Sequence, residues 1–215
     1  MYDALMRLPL LGWGFFAATG QLAGLIQLMN TMNTQSVDVV FAIHIAMRLS
    51  IIAFILLTSA AVLLRTRPSG KASGLEPRIS ALAGSFMVYG MLLFPRYELS
   101  LSGEIVATLL TTIGSVGAVI ALSQLGRSFS IMAESRQLVT TGPYRLVRHP
   151  LYLAEQIATV GVFMQFASIY SALFLLVHIA FQLRRMHNEE LVLTARFPEY
   201  AAYSQITARL IPGIY

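Results

Sequence analysis

The 215-residue sequence contains no cysteine. This absence excludes disulfides, iron–sulfur clusters, zinc–thiolate sites and cysteine nucleophiles. Charged residues are scarce as well, because Asp, Glu, Lys and Arg together make up only 12% of the chain, about half of their usual share in soluble domains. Hydrophobic residues account for 56% of the sequence and the mean hydropathy is +0.69. The composition therefore indicates a membrane protein.

Several functional motifs are missing too. No Gly-x-Gly-x-x-Gly sequence follows a strand-like run, no P-loop is present, and no Ser-His-Asp set stands out. The four histidines are not spaced as metal ligands, so we expect no metal site. The net charge of +5 comes from basic residues scattered between apolar runs, which favours orientation in a membrane over nucleic-acid binding.

Long apolar runs are abundant. A membrane-spanning helix needs about 20 mainly apolar residues. The candidate spans are residues 9–30, 38–64, 78–95, 103–126, 150–165 and 168–186. We divide the last two at residues 165–168, because one helix over the whole run would overshoot the bilayer; a single long tilted helix is the alternative. The first run is long and lacks a clean Ala-x-Ala site, so we expect a span and not a cleaved signal peptide.

The distribution of basic residues predicts the orientation. With the N-terminus in the cytoplasm, all of the 15 Lys and Arg residues except Arg48 and Arg96 fall in cytoplasmic segments. This bias follows the positive-inside rule and predicts an even number of spans with both termini in the cytoplasm. The expected fold is all-α, a polytopic transmembrane helix bundle of about five to six spans. Four spans with a different division also fit.

Residues 127–149 form the longest connection between spans, and long ordered loops are usually functional. Pro150 suits the first turn of a helix, which places His149 at or near its N-cap. Arg148, His149 and Tyr152 are then presented at the positive end of a helix dipole, where a polar or anionic ligand could bind. The alternative is a basic flank that anchors the helix, with an interfacial tyrosine.

A second polar cluster follows the last span, in RRMHNEELVLTARFPEY at 184–200. If the span continues as a helix into the cytoplasm, Gln182, Arg185 and Glu189 share one face and Glu190 is adjacent. An ordinary ion pair on a solvated face is the alternative. A short interfacial helix is expected over 199–208.

His44 and Arg48 lie four residues apart inside the second candidate span. Ionisable groups within a membrane are costly unless they face the bundle interior or water, so they are functional candidates by default. An internal pair with a purely structural role is the alternative.

Two motifs in order, GPYRLVRHPLY at 142–152 and NEELVLTARFPEYAAYSQITARLIP at 188–212, resemble the integral-membrane methyltransferases. This group includes the isoprenylcysteine carboxyl methyltransferases and the phospholipid N-methyltransferases. The resemblance covers roughly residues 122–215. Membrane-bound sterol reductases of a related fold share Arg-His-Pro-x-Tyr, and Glu155 resembles their pattern. Leu151 stands where the protein-prenyl enzymes have a polar residue.

The resemblance implies S-adenosylmethionine as the cofactor, without a Rossmann domain. It implies a cytoplasmic cofactor pocket formed by a loop and the C-terminal helices, in which the following residues bind the cofactor: Arg136, Gln137, Leu138, Val139, Tyr144, His149, Pro150, Leu151, Tyr152, Glu189 and Glu190. The expected catalytic residues are Arg185, Glu189 and Glu155. Arg185 would hold the reacting group of the substrate, with His44 and Arg48 as further substrate-side candidates.

We therefore expect one integral-membrane domain over 1–215, with N-terminal spans in 1–100 and the catalytic, cofactor-binding part in 101–215. The expected reaction is methyl transfer to a lipophilic membrane substrate, most like carboxyl methylation of an isoprenylcysteine-type acceptor. A phospholipid or other lipophilic amine is the alternative acceptor. A NADPH-dependent sterol-type reductase is the rival enzyme, and a scaffold or transporter is the non-enzymatic alternative.

Overall fold

A computed structural model of the chain describes residues 7–31 and 39–213. Within these residues the α-helices are α1 Arg7–Thr31, α2 Val39–Leu64, α3 Glu76–Phe86, α4 Leu101–Leu125, α5 Pro150–Gln165, α6 Ile169–Arg196 and α7 Tyr200–Ile206. Short 3-10 helices cover Met87–Leu93, Gly126–Ser128 and Gly142–Arg145. Two-residue strands β1 Gly70–Lys71 and β2 Glu134–Ser135 pair antiparallel. The all-α, polytopic class is confirmed, and α7 lies within the short helix expected over 199–208.

The bundle has two distinct ends. At the first, which we call the loop end because it carries residues 126–149, Arg7 and Arg127 donate to the last carbonyls of α2, at Leu63 and Leu64. At the opposite, far end, Glu104 at the start of α4 lies 3.3 Å from His44 and 3.9 Å from Arg96. Successive elements run between these ends, and both α1 and α7 have their outer termini at the loop end.

Four of the described helical segments are long and apolar enough to cross a membrane, namely α1, α2, α6 and α4 with the 3-10 turn after it. The predicted span 78–95 is instead α3 continued by the 3-10 helix Met87–Leu93. Its 11 α-helical and 7 3-10 residues rise about 16 Å and about 14 Å, which together match a hydrocarbon core of about 30 Å.

Two glycines allow this third element to pack closely against α6. A Cβ atom at Gly90 would lie 2.3 Å from the Phe174 ring, and one at Gly84 would lie 3.2 Å from the Gln182 side-chain oxygen. The glycines that interrupt the apolar pattern therefore mark a close helix contact.

The division between the last two predicted spans is confirmed. α5 ends at Gln165, and Ser168 caps α6 by accepting a hydrogen bond of 3.1 Å from the Ser171 amide. The single long helix is wrong, because this cap starts a new helix. α5 has 16 residues, so it is only about 24 Å long.

Small residues hold α4 against α5. A Cβ atom at Gly114 would lie 2.4 Å from the Ala158 backbone nitrogen and 2.6 Å from the Ala154 oxygen. At Gly161 a Cβ atom would lie 2.5 Å from the Ala107 oxygen. Backbones can approach this closely only where side chains are absent. This contact fixes the start of α5, which carries the first polar motif.

Glu76 ties the start of α3 to the loop end of α6. Its carboxylate accepts a hydrogen bond of 2.7 Å from Arg184 Nε and bonds of 3.2 Å from Asn188 Nδ2. The hydrogen bond from Arg184 lowers the pKa of Glu76 against the opposing effect of its partial burial, and Asn188 lowers it further. A lowered pKa in the folded state contributes stability that is present at neutral pH and is lost as pH falls through that pKa.

We expect Glu76→Gln to lower the melting temperature by a few degrees at about pH 7. The gap to the wild type should close as the pH falls through the folded-state pKa of Glu76, because the wild-type carboxylate is then also protonated. Thermal unfolding in detergent over a series of decreasing pH values measures this, with Glu98→Gln, at an exposed position in the far-end loop, as the control. A gap that stays constant down to the acid unfolding of the wild type would contradict the prediction.

Candidate functional site

A cleft of about 750 Å³, part of it open to solvent, lies at the loop end between residues 128–139, the start of α5 and the last third of α6. We call it the loop cleft. Most of the residues predicted to bind a cofactor line it, namely Arg136, Gln137, Leu138, Val139, Tyr144, His149, Leu151, Tyr152 and Glu189. Pro150 and Glu190 do not. The two sequence motifs, about 40 residues apart, are therefore brought to one cavity.

The sequence explains how α5 presents its first residues to the loop cleft. His149 occupies the N-cap of α5 and Pro150 its first turn, where the missing proline N–H would have no helical partner anyway. The imidazole of His149 then stacks on the Tyr152 ring, with 5.5 Å between centroids. His149 and Tyr152 thus present adjoining faces to the cavity.

Glu190 lies behind the loop cleft and holds three basic side chains. Its carboxylate is 3.2 Å from Arg148 Nε, 3.0 Å from His149 Nε2 and 2.9 Å from Arg209 Nη2. In the same place, the amides of Arg148 and His149 donate to the carbonyls of Ala208 and Arg209. Glu190 therefore joins the C-terminal segment to the start of α5. Arg148 and His149 both line the loop cleft, so Glu190 can influence a ligand there through either side chain.

We expect Glu190→Gln to loosen this junction, because three cations would lose their shared counter-charge. Amide hydrogen exchange at Arg148 and His149 should accelerate about tenfold, since it reports local opening of these bonds. The amide of Thr66, which donates to Arg127 elsewhere at the loop end, is the internal control. Unchanged exchange at Arg148 and His149 would show that backbone pairing alone holds the segment.

Tyr152 and Glu189 line the inner side of the loop cleft, and Arg185 lies behind them. The Tyr152 hydroxyl donates to Glu189 Oε1, and the Arg185 guanidinium carbon lies 4.6 Å from the Tyr152 ring centroid. Arg185 Nε is 3.6 Å from Glu189 Oε1, one helical turn away. The Arg185 side chain is only 3% exposed. This pair is therefore a buried cluster, and the alternative of a solvated surface pair is wrong.

Arg185 is also fixed from the other side. Its Nη1 donates to Ser85 Oγ over 3.0 Å and its Nη2 donates to the Ser130 carbonyl over 3.5 Å. Nε faces Glu189 at 3.6 Å and is buried without a hydrogen-bond partner among the described residues. The two Nη contacts restrict the orientation of the planar guanidinium, which suits a residue that positions a reacting group.

A second cleft, of about 610 Å³, adjoins the first. We call it the apolar cleft, because aromatic and aliphatic side chains of α1, α2 and α3 such as Trp13, Phe54 and Phe86 line most of it. Its polar end is formed by Ser85, Tyr89, Glu155 and Arg185. Phe129 lines both clefts. A polar and an apolar cavity therefore share part of their wall.

The tyrosines of the loop cleft are neutral hydrogen-bonding groups. Burial, and then the nearby carboxylates of Glu189 and Glu155, raise the pKa of Tyr144 far above its ordinary value. Burial raises the pKa of Tyr203 to about 12, against the opposing charge of Arg148. The Tyr203 hydroxyl donates to the Tyr144 carbonyl over 2.6 Å. The Tyr200 hydroxyl, which is buried in the cleft wall, has no hydrogen-bond partner among residues 7–31 and 39–213.

His44 and Arg48 line neither cleft among the described residues. His44 Nδ1 is 2.8 Å from the Val40 carbonyl and its Nε2 faces Glu104 at the far end. Arg48 Nη1 donates to Gln21 Oε1 of α1 over 3.3 Å. Their substrate role remains a prediction, to which the geometry adds no contact with the rest of the site.

Two residues of the site were not anticipated from the sequence, Ser85 and Tyr89, which come from the element predicted as a generic span. Gln182, which was expected on one helix face with Arg185 and Glu189, donates to Glu155 Oε2 over 2.9 Å. Ser85 lies 100 residues before its partner Arg185. Helical periodicity relates residues within one helix, so it cannot predict this contact between two helices. The glycines beside Ser85 and Tyr89 do indicate close packing there.

Part of the chain, including residues of the site, matches the sequence profile of a known protein family. A sequence profile described as the isoprenylcysteine carboxyl methyltransferase (ICMT) family matches residues 88–195, which include Glu155, Arg185 and Glu189. The match covers half of the chain.

Two curated proteins are similar over a comparable length. The nickel-cobalt-cadmium resistance protein NccN of Alcaligenes xylosoxydans xylosoxydans is 30% identical over 114 residues, which cover 51% of this chain and 53% of that protein. The cobalt-zinc-cadmium resistance protein CzcN of Cupriavidus metallidurans is 32% identical over 119 residues, which cover 52% and 53%. The chain spans about half the length of the curated relatives it matches.

Proposed function

The chain belongs to the isoprenylcysteine carboxyl methyltransferase family, and from this we propose that it transfers a methyl group from S-adenosylmethionine to a lipophilic acceptor within the membrane. The observation that carries the proposal is the position of Arg185, which lines the apolar cleft among the helices and contacts Tyr152 and Glu189 of the loop cleft. Such an arrangement suits a water-soluble donor that meets a lipid-soluble acceptor.

The residues of the loop cleft fit the proposed donor. When bound, S-adenosylmethionine supplies a methyl group on a positively charged sulfur. The Glu189 carboxylate, partly exposed in the cleft, can accept hydrogen bonds from amino or ribose groups and offset positive charge. The faces of Tyr144 and Tyr152 can attract a sulfonium. The Tyr200 hydroxyl can bond to a polar ligand group.

The apolar cleft is the proposed acceptor site. The family implies an isoprenylcysteine-type carboxylate, which needs no general base and would be oriented by Arg185. A lipophilic amine, as in phospholipid N-methylation, is the alternative, for which Glu155 could accept a proton. In either case the chain contributes alignment of the reacting atoms and exclusion of water, which supply most of the acceleration in an in-line displacement.

We further propose that residues 1–215 act as one domain. The helices before residue 100 would form most of the apolar cleft, and residues 101–215 would form the loop cleft. The charge bias of the sequence supports a cytoplasmic position for the loop end and for both termini. Labelling of single cysteines introduced at residues 73 and 98, one in a loop at each end, by an impermeant reagent in intact cells tests this orientation.

Titration calorimetry of the purified full chain tests the function. We expect binding of S-adenosylmethionine and S-adenosylhomocysteine, and weaker or no binding of NADPH. Binding of NADPH alone would support the rival reductase instead. Transfer of a radiolabelled methyl group into a lipid extract then shows whether an acceptor is methylated.

The two relatives are named for resistance to nickel, cobalt, zinc and cadmium. Within residues 7–31 and 39–213, no group of three or more His, Asp or Glu side chains is placed to hold a metal ion. We therefore base the proposal on the clefts, and a parallel titration with Co²⁺ and Zn²⁺ separates direct metal binding from donor binding.

A further inference from the structure

Glu155 is the feature of the apolar cleft that carboxyl methylation leaves unexplained. It projects from α5 into the polar end of that cleft, on the acceptor side of the shared wall. The carboxylate forms no ion pair within 4.0 Å among the described residues. Its Oε2 accepts a hydrogen bond from the neutral amide of Gln182. A carboxylate beside apolar surface without a cation in contact is costly, unless a ligand brings a positive charge or a proton.

The charges around Arg185 also favour a ligand that brings a positive charge. Two carboxylates, those of Glu155 and Glu189, face this one guanidinium. Its Nη1 and Nη2 already donate to Ser85 and to the Ser130 carbonyl, and its Nε lies 3.6 Å from Glu189, so a substrate carboxylate would have to share the guanidinium with these protein groups. A third carboxylate at this place would also meet repulsion from the first two.

Resting on the proposed function, we propose that the reacting group of the acceptor is an amine, and that Glu155 accepts the proton that frees its lone pair. An ammonium head on an apolar tail matches the cleft, because the tail meets aromatic side chains while the head meets an unpaired carboxylate. A hydroxyl would suit less well, since a carboxylate is too weak a base to activate an alcohol.

The step balances as follows. The acceptor ammonium gives one proton to the Glu155 carboxylate, which leaves a neutral amine and a neutral carboxyl group. The nitrogen lone pair forms a bond to the methyl carbon, and the carbon–sulfur bond breaks with its electron pair remaining on sulfur. The positive charge thus moves from the sulfonium to the methylated ammonium, and Glu155 later loses its proton to water. Gln182 acts as a positioning residue for the carboxylate.

A matched pair of acceptors tests the inference. S-farnesylcysteamine and S-farnesylthioacetic acid share one tail and end in an amine and in a carboxylate. With the full-length protein in detergent and radiolabelled S-adenosylmethionine, we expect methyl transfer into the amine, at least tenfold faster than into the carboxylate. Faster transfer into the carboxylate would overturn the inference while leaving the proposed function in place. Failure of the wild-type protein to bind S-adenosylmethionine would overturn the proposed function itself.

Glu155→Gln tests the residue. We expect transfer into the amine to fall about 100-fold or more, with the affinity for S-adenosylmethionine changed less than threefold, which also shows that the variant is folded. The residual transfer should rise about tenfold per pH unit below the pKa of the free amine, because only the unprotonated acceptor then reacts. Glu155→Asp should recover part of the rate, and Glu98→Gln at the far end should behave as wild type. A Glu155→Gln rate within threefold of wild type would overturn the assignment.

Discussion

Replacing Glu189 by glutamine should weaken the binding of S-adenosylmethionine about 10- to 150-fold, since a hydrogen bond to a charged group contributes about 1.5–3 kcal/mol. The amide has the size of the carboxylate but not its charge. It can therefore neither offset the positive donor nor accept equally well from the Tyr152 hydroxyl, which holds Glu189 in place. Calorimetric titration with the donor and with S-adenosylhomocysteine measures the loss.

The size of the loss should depend on the charge of the ligand. S-adenosylhomocysteine lacks the sulfonium, so its affinity should fall less than that of the donor. Glu98→Gln removes the same charge at an exposed far-end position and should leave both affinities unchanged. Equal, small effects of the two substitutions on donor affinity would mean that the Glu189 carboxylate serves only to hold Arg185.

Gly114→Ala should lower the melting temperature by about 2–12 °C, although alanine is the better helix former. The added Cβ atom would lie 2.4 Å from the Ala158 nitrogen and 2.6 Å from the Ala154 oxygen. These are backbone atoms of α5, so the helices must separate, and overpacking of this kind costs about 1–3 kcal/mol. For a chain of this length, about 1 kcal/mol corresponds to about 2–4 °C. Thermal unfolding followed by circular dichroism in one detergent provides the measurement.

Gly12→Ala is the matched control, because nothing lies within 4 Å of a Cβ atom at Gly12. Here only the helix propensity changes, so the melting temperature should stay the same or rise. The two Gly→Ala substitutions are thus expected to shift stability in opposite directions. If they shift it equally, the α4–α5 contact is looser than described. Donor binding should weaken with Gly114→Ala alone, because α5 carries His149 and Tyr152.

Features of the structure that depend on a few neighbouring residues could be predicted from the sequence. The N-cap position of His149, the first-turn proline and the break at residues 165–168 all follow from rules that act within a few residues. The pairing of the two polar motifs was predicted by resemblance, and the structure places both at one cavity. Glu190, which is predicted to bind the cofactor, lies outside the lining of the loop cleft and faces Arg148, His149 and Arg209. The sequence identifies Glu190 as a carboxylate beside the second motif, but it does not indicate which basic residues surround that carboxylate.

Contacts between distant helices could not be predicted in this way. The partner of His44 is Glu104, on another helix, and nothing in the spacing of either residue indicates the other. The course of the third span could not be predicted either. Gly84 and Gly90 interrupt its apolar pattern, but a 3-10 stretch with the longer rise per residue extends the element to the far end. Packing against α6 selects that geometry, and this is a tertiary effect.

The shortness of α5 has a consequence for the surrounding lipid. A helix of 16 residues is about 24 Å long, about 6 Å less than the usual hydrocarbon core, so hydrophobic mismatch must be relieved on this side of the protein. Its far end is held by the hydrogen bond from Tyr97 to the Gln165 carbonyl. Thinning of the bilayer at the other end, around His149, is one way to relieve this mismatch. The loop cleft lies beside His149, so thinning there would bring the cleft and the lipid tails to the same depth.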